Sequence, residues 1–240
     1  RVVLDSVHGA GGPEGRLLLD ARGVELVHLY AEPTGDFPHT PEPTRENLTG
    51  LCDAVKQHAA DVGFAQDPDA DRLAVVDNTG SYIGEEYTLA LCVEHLLSKC
   101  DASPVPPVAA NLSTSRMIND IAEAHGSRVI RTPVGEANVA EAIRAEPCVA
   151  GGEGNGGIID PRVVGVRDSI VGMALVLEMI AERKQPLSDI VASIPSYVLL
   201  KEKVPVDAEL TARLAPVLSE AFAQQQIDTR DGVRIDWPDR

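Results

Sequence analysis

Short apolar runs alternate along this chain with longer stretches in which apolar residues recur every three or four positions. That change of period predicts strands interleaved with helices. Residues 2–5 form the first strand. A glycine-rich turn, His8-Gly9-Ala10-Gly11-Gly12, leads into a helix through Leu17, Leu18 and Leu19, which Gly23 closes. Residues 24–30 alternate like a strand. The passage 33–43 carries Pro33, Pro38, Pro41 and Pro43 and predicts irregular chain, of a length that usually serves a site or an interface. A helix over 44–60 follows, with Leu48, Leu51, Val55 and Ala59 on one face. Strands are predicted at 62–65 and 73–77, and a helix from about 85 to 97.

After a proline-rich linker at 101–107 the order begins again. A strand at 108–111 is followed by Ser113, Thr114 and Ser115, which offer caps to a helix through Met117, Ile118, Ile121 and Ala122, ended by Gly126. Then come a strand at 127–131, a turn at 132–135, a helix at 136–145, a strand at 148–150 and a glycine-rich loop over 151–157. Residues 158–160 return, and an apolar helix covers 166–183. The halves share little residue identity but one order of elements, which predicts an α/β unit used twice. The loops at 67–72 and 152–157 occupy equivalent places and would face a shared cleft. From Lys201 a helix over 208–222 and a strand over 233–237 open a further α+β domain. The expected divisions are 1–102, 103–197 and 198–240.

Composition narrows the partners. Of 240 residues 44% are hydrophobic but only 3% aromatic, so the cores must be built from Ala, Val, Leu and Ile. The formal net charge of −16 argues against a nucleic-acid binder, which needs a basic face. A phosphorylated small molecule stays compatible, because a few local cations and backbone N–H groups can hold it. No apolar run reaches membrane length. Cys52, Cys92, Cys100 and Cys148 form no C-x-x-C pair and read as scattered thiols of a reducing cytoplasm. The six histidines (8, 28, 39, 58, 95 and 125) show no metal-ligand spacing and receive no role. The chain opens directly in a strand and stops on Trp237-Pro238-Asp239-Arg240, so it is expected to be part of something longer.

Two stretches carry candidate chemistry. In Asp67-Pro68-Asp69-Ala70-Asp71-Arg72, three carboxylates stand at alternate positions between two strands. Fully extended, neighbouring ones would lie ~7 Å apart, two rises of ~3.3 Å, too wide for one small cation. The segment must curl for them to converge. An EF-hand is excluded, since its sixth and twelfth places hold Arg72 and Asn78 rather than glycine and glutamate. Hard oxygen ligands leave magnesium as the preferred ion, with a phosphate oxygen sharing its coordination; an acidic solvated turn is the alternative. In Gly151–Gly157 the glycines allow close backbone approach, and Glu153 and Asn155 supply the acceptors and donors that sugar hydroxyls use. A glycine-rich hairpin with two exposed polar residues is the plainer reading. The earlier glycine turn lacks a G-x-G-x-x-G pattern, because position 14 is Glu14, and reads as structural.

Taken together these motifs resemble the α-D-phosphohexomutase family: phosphoglucomutases, phosphomannomutases and phosphoglucosamine mutases. Asp67–Arg72 is similar to the family's magnesium loop, D-x-D-x-D-R, and Gly152–Gly157 to its sugar loop, G-E-x-[SN]-G. Thr132-Pro133-Val134-Gly135-Glu136 resembles a second substrate loop, Arg167-Asp168-Ser169 the [RK]-D-G turn, and the passage 36–43 the family's F-P-x-x-x-P-x-P segment. The resemblance spans the whole chain, as domains two and three and the start of domain four. It implies that each complete domain is a mixed four-stranded sheet between helices. It also implies interconversion of hexose 6-phosphates and 1-phosphates through a phosphoserine and a bisphosphate intermediate. Mg2+ would sit on Asp67, Asp69 and Asp71. The phosphorylated hexose or hexosamine would meet Gly135, Glu136, Glu153, Asn155 and Arg167. Arg72, like Arg167, would steady the transferring phosphate or nearby carboxylates, or form a structural salt bridge.

Asn155-Gly156-Gly157 is most similar to archaeal-type phosphoglucosamine and phosphomannose mutases. Phosphoglucosamine mutase is thus the first expectation, and phosphomannomutase or phosphoglucomutase the alternative. The family's phosphoserine motif and terminal phosphate clamp do not occur in these 240 residues, so the chain alone is expected to be inactive. Two rival classes are a metal- and sugar-phosphate-binding module without catalysis and a metal-dependent phosphohydrolase. The oligomeric state is left open, with a homodimer among the options.

Overall fold

Strands and helices interleave as the patterning predicts. The computed structural model describes residues 1–200 and 202–237; Lys201, where a further domain is expected to open, and the terminal 238–240 lie outside the described residues. In chain order the elements are β1 (Val2–Asp5), α1 (Gly12–Ala21), β2 (Leu26–Leu29), α2 (Thr49–His58), β3 (Val62–Gln66), β4 (Leu73–Asp77) and α3 (Glu86–Ser98). Then come β5 (Val108–Asn111), α4 (Met117–Ala124), β6 (Val129–Thr132), α5 (Glu136–Ala145), β7 (Ala150–Glu153), β8 (Gly157–Ile159) and α6 (Ser169–Arg183). The chain continues through α7 (Leu187–Ala192), α8 (Ala208–Ala221), β9 (Gln226–Asp228) and β10 (Arg234–Asp236).

The first sheet has the order β2-β1-β3-β4, with β1 parallel to β2 and β3, and β4 antiparallel to β3. The second repeats order and directions as β6-β5-β7-β8. The expected pair of mixed four-stranded sheets is therefore present. β9 and β10 form a separate antiparallel pair.

Side-chain alternation sorts the strands into layers. Val2, Leu4, Val62, Phe64, Leu73 and Val75 join one core, while Val3, Ala65, Ala74 and Val76 join another beneath Leu51 and Val55 of α2. In the second sheet Val108, Ala110 and Ile158 enter the same first core, and Ala109 and Ile159 pack under Val139 and Ile143 of α5. The order of layers is thus α2, sheet, helices, sheet, α5. The middle layer draws on α1, α3, α4 and α6 and is shared by both sheets. Each fully buried Leu, Ile or Phe in it contributes about 1.5–3 kcal/mol.

Several boundaries differ from expectation for local reasons. The helix expected over 44–60 starts only at Thr49, because Asn47 N and Leu48 N both donate to Thr44 O and close a turn first. The helix expected from 166 starts at Ser169. Asp168 caps it, Oδ1 accepting from Ile170 N at 2.7 Å and Val171 N at 3.3 Å. Ser113 and Thr114 do not cap α4. Their hydroxyls donate to Asn111 Oδ1, and only Ser115 Oγ accepts from Met117 N. The strand expected at 148–150 runs as β7 into Glu153, so the first glycines of that loop are strand residues. Helix α7 and strand β9 are additional.

The last segment docks on the second sheet's end. Arg234 Nη1 donates to Leu112 O, Arg116 Nη1 to Trp237 O, and Val134 N to Asp231 Oδ2, each at 2.7 Å. Apolar side chains before α8 stay exposed, with Leu200 at 82% and Val204 at 74%, whereas Ile227, Val233, Ile235 and Trp237 are half-buried.

Candidate active site

The acidic loop joins β3 to β4, and it curls as convergence requires. Ala70 supplies the bend, with φ of 59° in the left-handed region that few non-glycine residues adopt. Ala70 N donates to Asp67 O at 3.0 Å, and Arg72 N and Nε donate to the Asp67 carboxylate at 3.0 and 2.6 Å. Carboxylate oxygens of Asp67, Asp69 and Asp71 come within 4.8 Å of one another. Asp67 is buried, Asp69 exposed and Asp71 half-buried, so the cluster opens outward from a fixed base. An all-oxygen, all-anionic donor set fits a hard divalent cation.

The early glycine turn braces this loop, as its structural reading requires. Ala10 N donates to Pro68 O at 2.8 Å, and a Cβ on Gly9 would stand 2.6 Å from that oxygen. The contact needs glycine.

Arg72 lies against Asp67, with Asp71 3.8 Å away. Burial works against its charge, but the hydrogen bond and charge of Asp67 outweigh it, so the guanidinium holds its proton more firmly than usual. Here Arg72 binds neighbouring carboxylates.

The glycine loop places Glu153 at the end of β7, almost wholly buried. Its Oε1 accepts from Asn111 Nδ2 at 2.6 Å and from Gly135 N at 3.1 Å, and its Oε2 from Arg167 Nη1 at 2.6 Å. The carboxylate does not project freely, as two exposed polar residues on a hairpin would. Asn155 Oδ1 is buried and accepts no hydrogen bond. Glu136 Oε1 accepts from Arg167 N at 2.6 Å, and Glu136 Oε2 lies 3.6 Å from Arg167 Nε.

Arg167 also reaches the other loop, since Nη2 pairs with Asp71. One guanidinium therefore touches carboxylates of the acidic loop, the glycine loop and the start of α5. The loops also meet through backbone: Leu73 N donates to Gly156 O at 3.0 Å, and Ser169 N to Ala70 O at 3.1 Å. A Cβ on Gly157 would stand 2.2 Å from Arg167 Cδ, and one on Gly156, at φ 96°, 2.5 Å from Leu73 O. These glycines serve the joint between the loops.

All nine residues singled out from the sequence thus lie along one continuous set of contacts, except that Asn155 makes no side-chain bond through Oδ1 and Asp69 enters only through the cluster. Beside them is a cavity of about 330 Å³ lined by Glu14, Asp69, Arg167 and Asp168. A larger one, about 720 Å³, lies between Arg1, residues 22–25 and α6, away from the carboxylates. Sequence reasoning missed Asn111, Thr114 and Glu86. Asn111 orients Glu153, Thr114 Oγ1 accepts from Gly154 N at 3.1 Å, and Glu86 sits where a Cβ on Gly154 would fall. Only strand pairing reveals Asn111, because β5 lies beside β7 in parallel register, Ala110 opposite Gly152.

Comparison with known proteins agrees with this arrangement. Residues 1–80 match the family model described as phosphoglucomutase/phosphomannomutase, alpha/beta/alpha domain II, and residues 84–197 match that of domain III. The chain is 36% identical to a probable phosphoglucosamine mutase of Methanopyrus kandleri, over 100% of this chain and 53% of the relative. It is also 36% identical to a phosphoglucomutase/phosphomannomutase of Thermococcus kodakarensis, over 99% of this chain and 52% of that protein. The chain therefore spans about half the length of the curated relatives it matches. A crystal structure of a phosphoglucomutase/phosphomannomutase family protein from Burkholderia thailandensis superimposes with a TM-score of 0.84 at 28% identity, covering 99% of this chain and 51% of that one. With both domain models matched along the chain and the superposition covering 99% of it, the chain belongs to the α-D-phosphohexomutase family, of which it carries central domains II and III.

Proposed function

We propose that the whole protein is an intramolecular phosphotransferase that interconverts hexose 6-phosphate and hexose 1-phosphate, acting on glucosamine phosphate. The observation that carries this reading is Arg167, which bridges Asp71 of the acidic loop and Glu153 of the glycine loop. A phosphate-handling loop and a hydroxyl-handling loop must lie within one ligand's length of each other, and this side chain spans them.

Asp67, Asp69 and Asp71 would hold Mg2+, which when bound supplies Lewis-acid stabilisation of a phosphoryl oxygen and a template for it. Phosphoryl transfer asks the protein mainly for positioning and charge stabilisation. Glu153 is turned by Asn111 and Gly135 N so that its remaining lone pairs accept from sugar hydroxyls. Asn155 Oδ1 is an acceptor in search of a donor, and a hydroxyl is one. Glu136 and Gly135 set the loop on the far side of Glu153. Arg72 fixes Asp67, and Arg167 exchanges its carboxylate partners for phosphate when substrate enters.

The phosphoryl donor and the clamp for the second phosphate belong to parts of the parent that these residues do not supply, so the 240-residue chain alone is inactive. A phosphomannomutase/phosphoglucomutase activity is the second reading, favoured by the equally similar Thermococcus relative. A cytoplasmic setting accords with the scattered thiols. Among the described residues no helix is long and apolar enough to cross a membrane.

A coupled assay on the full-length parent with glucosamine 6-phosphate, mannose 1-phosphate and glucose 1-phosphate, each with its bisphosphate, tests the reading. Glu153→Gln should lower the rate by one to two decades, because a charged hydrogen bond is worth about 1.5–3 kcal/mol. An unchanged rate removes the role given to Glu153. Turnover by the 240-residue chain alone would mean that the phosphoryl donor lies within it.

A further inference from the structure

We propose a second cation site, of zinc type, held by His95, Glu178 and Glu182 where α3 packs against α6. It lies apart from the acidic loop and makes no use of it. His95 is 2% exposed, and its Nε2 has no hydrogen-bond partner although Glu178 Oε2 is 3.3 Å away. The Glu178 carboxylate is thus close enough to attract the ring nitrogen but not aligned to hydrogen-bond it well, which leaves that buried nitrogen underused. One ligand atom from each of the three residues lies within 4.8 Å of the others. Glu178 and Glu182 stand four apart on α6 and so share a face, and His95 reaches across from α3.

The donor set selects the ion. One imidazole with two carboxylates suits Zn2+ and its first-row neighbours, whereas the three aspartates suit magnesium. Zinc takes nitrogen and oxygen at ~2.0–2.2 Å. The donors must therefore close by about 1 Å from their present spread, which α6 surface side chains can do.

Lys99 Nζ now lies 2.6 Å from each glutamate. It is 43% exposed on a flexible stem and can turn into water. Two carboxylates against one ammonium leave the cluster net negative. The other cation at this face, Arg162, is already paired with Asp160. A cavity of about 340 Å³ borders His95, Lys99 and Glu178, with Cys100 and Cys148 on its wall, and gives water a route to an open coordination position. Sequence spacing could not show this site, because its ligands come from helices far apart in the chain.

Zinc titrated into the purified protein in a large excess of magnesium tests the proposal, read by calorimetry and, with cobalt(II) as probe, by visible absorption. One zinc equivalent is expected. Glu182→Gln, at a half-exposed position, should weaken binding at least about tenfold. Lys99→Met should tighten it several-fold by removing the internal competitor, and Asp69→Asn should leave it unchanged. His95→Gln should abolish the cobalt band; if that variant does not fold, the two surface variants still decide. No zinc uptake overturns the site. So does uptake that Glu182→Gln and Lys99→Met leave unaltered, or that Asp69→Asn abolishes.

Discussion

Replacing Arg167 by methionine removes one side chain from between three carboxylates. Arg167 is 15% exposed, Glu153 6%, Asp71 23% and Glu136 29%, so the cluster is largely but not fully desolvated. Removing one partner of a buried ion pair costs about 3–5 kcal/mol, because the other charge is left uncompensated. Asp71 and Glu136 retain water, which places the expected loss near the lower end, about 3 kcal/mol. The sign of the magnesium effect is opposite. In the parent, Asp71 would have to exchange its bond to Arg167 for one to the ion. In Arg167→Met that competitor is gone while Arg72 stays on Asp67, so Asp71 is left with less neutralisation than in the parent. Magnesium should therefore bind the variant more tightly and recover more of its stability than it adds to the parent. At a concentration one hundred times the dissociation constant that recovery is about 2.7 kcal/mol. Urea unfolding followed by circular dichroism, with and without magnesium, measures both quantities. A loss below about 1 kcal/mol, or a magnesium increment no larger than the parent's, would refute the bridging role.

Three further outcomes are expected. Asp69→Asn should abolish the heat of magnesium binding yet change stability by no more than about 0.5 kcal/mol, since Asp69 is exposed; equal heats in parent and variant would remove the metal assignment. Burial pushes the Glu94 carboxyl upward, but hydrogen bonds from His125 and Arg183 outweigh it and hold the group below its usual 4.5. A depressed carboxylate stabilises the fold above its unfolded value and loses that contribution as pH falls through the folded one. Glu94→Gln should thus lower stability by about 1 kcal/mol at neutral pH, solvent screening allowed for, and by progressively less as pH falls below 4.5; thermal melts across that range decide it. In hydrogen exchange, residues 233–237 should exchange fast and β3 and β4 slowly, because β10 pairs only with β9 and its apolar residues are half-buried, whereas β3 and β4 are fully buried; equal protection would show that segment to be a stable unit.

Much of the architecture could be read from the chain because its strands obey a simple rule. Val2, Val3 and Leu4, or Leu73 to Val76, are apolar on both faces, as strands buried between helix layers must be. The convergence of the acidic loop was legible because three aspartates in five residues between two strands have to curl if they are to share one cation. What stayed hidden depended on partners distant in sequence. Glu153 looked like a free ligand until Asn111, Gly135 and Arg167 were seen to occupy it. Sequence alone gives the glycines of its loop a sugar to approach, and it could not show that Leu73, Glu86 and Arg167 crowd several of them as well. The start of α6 was misplaced because Val166 and Arg167 fit the helical period, whereas the Asp168 cap sets the first turn.

The undivided middle layer also bears on motion. Side chains of β1, β3, β4, β5 and β8 meet in it through α3 and α6, and backbone bonds tie Leu73 to Gly156 and Ser169 to Ala70. Packed interiors resist continuous deformation, so these two halves cannot open and shut like jaws. The floor they form beneath the two loops is stationary. Under the proposed function, a sugar that presents first one end and then the other to the same carboxylates would turn over by itself above this rigid pair of sheets, rather than being carried round by their closure.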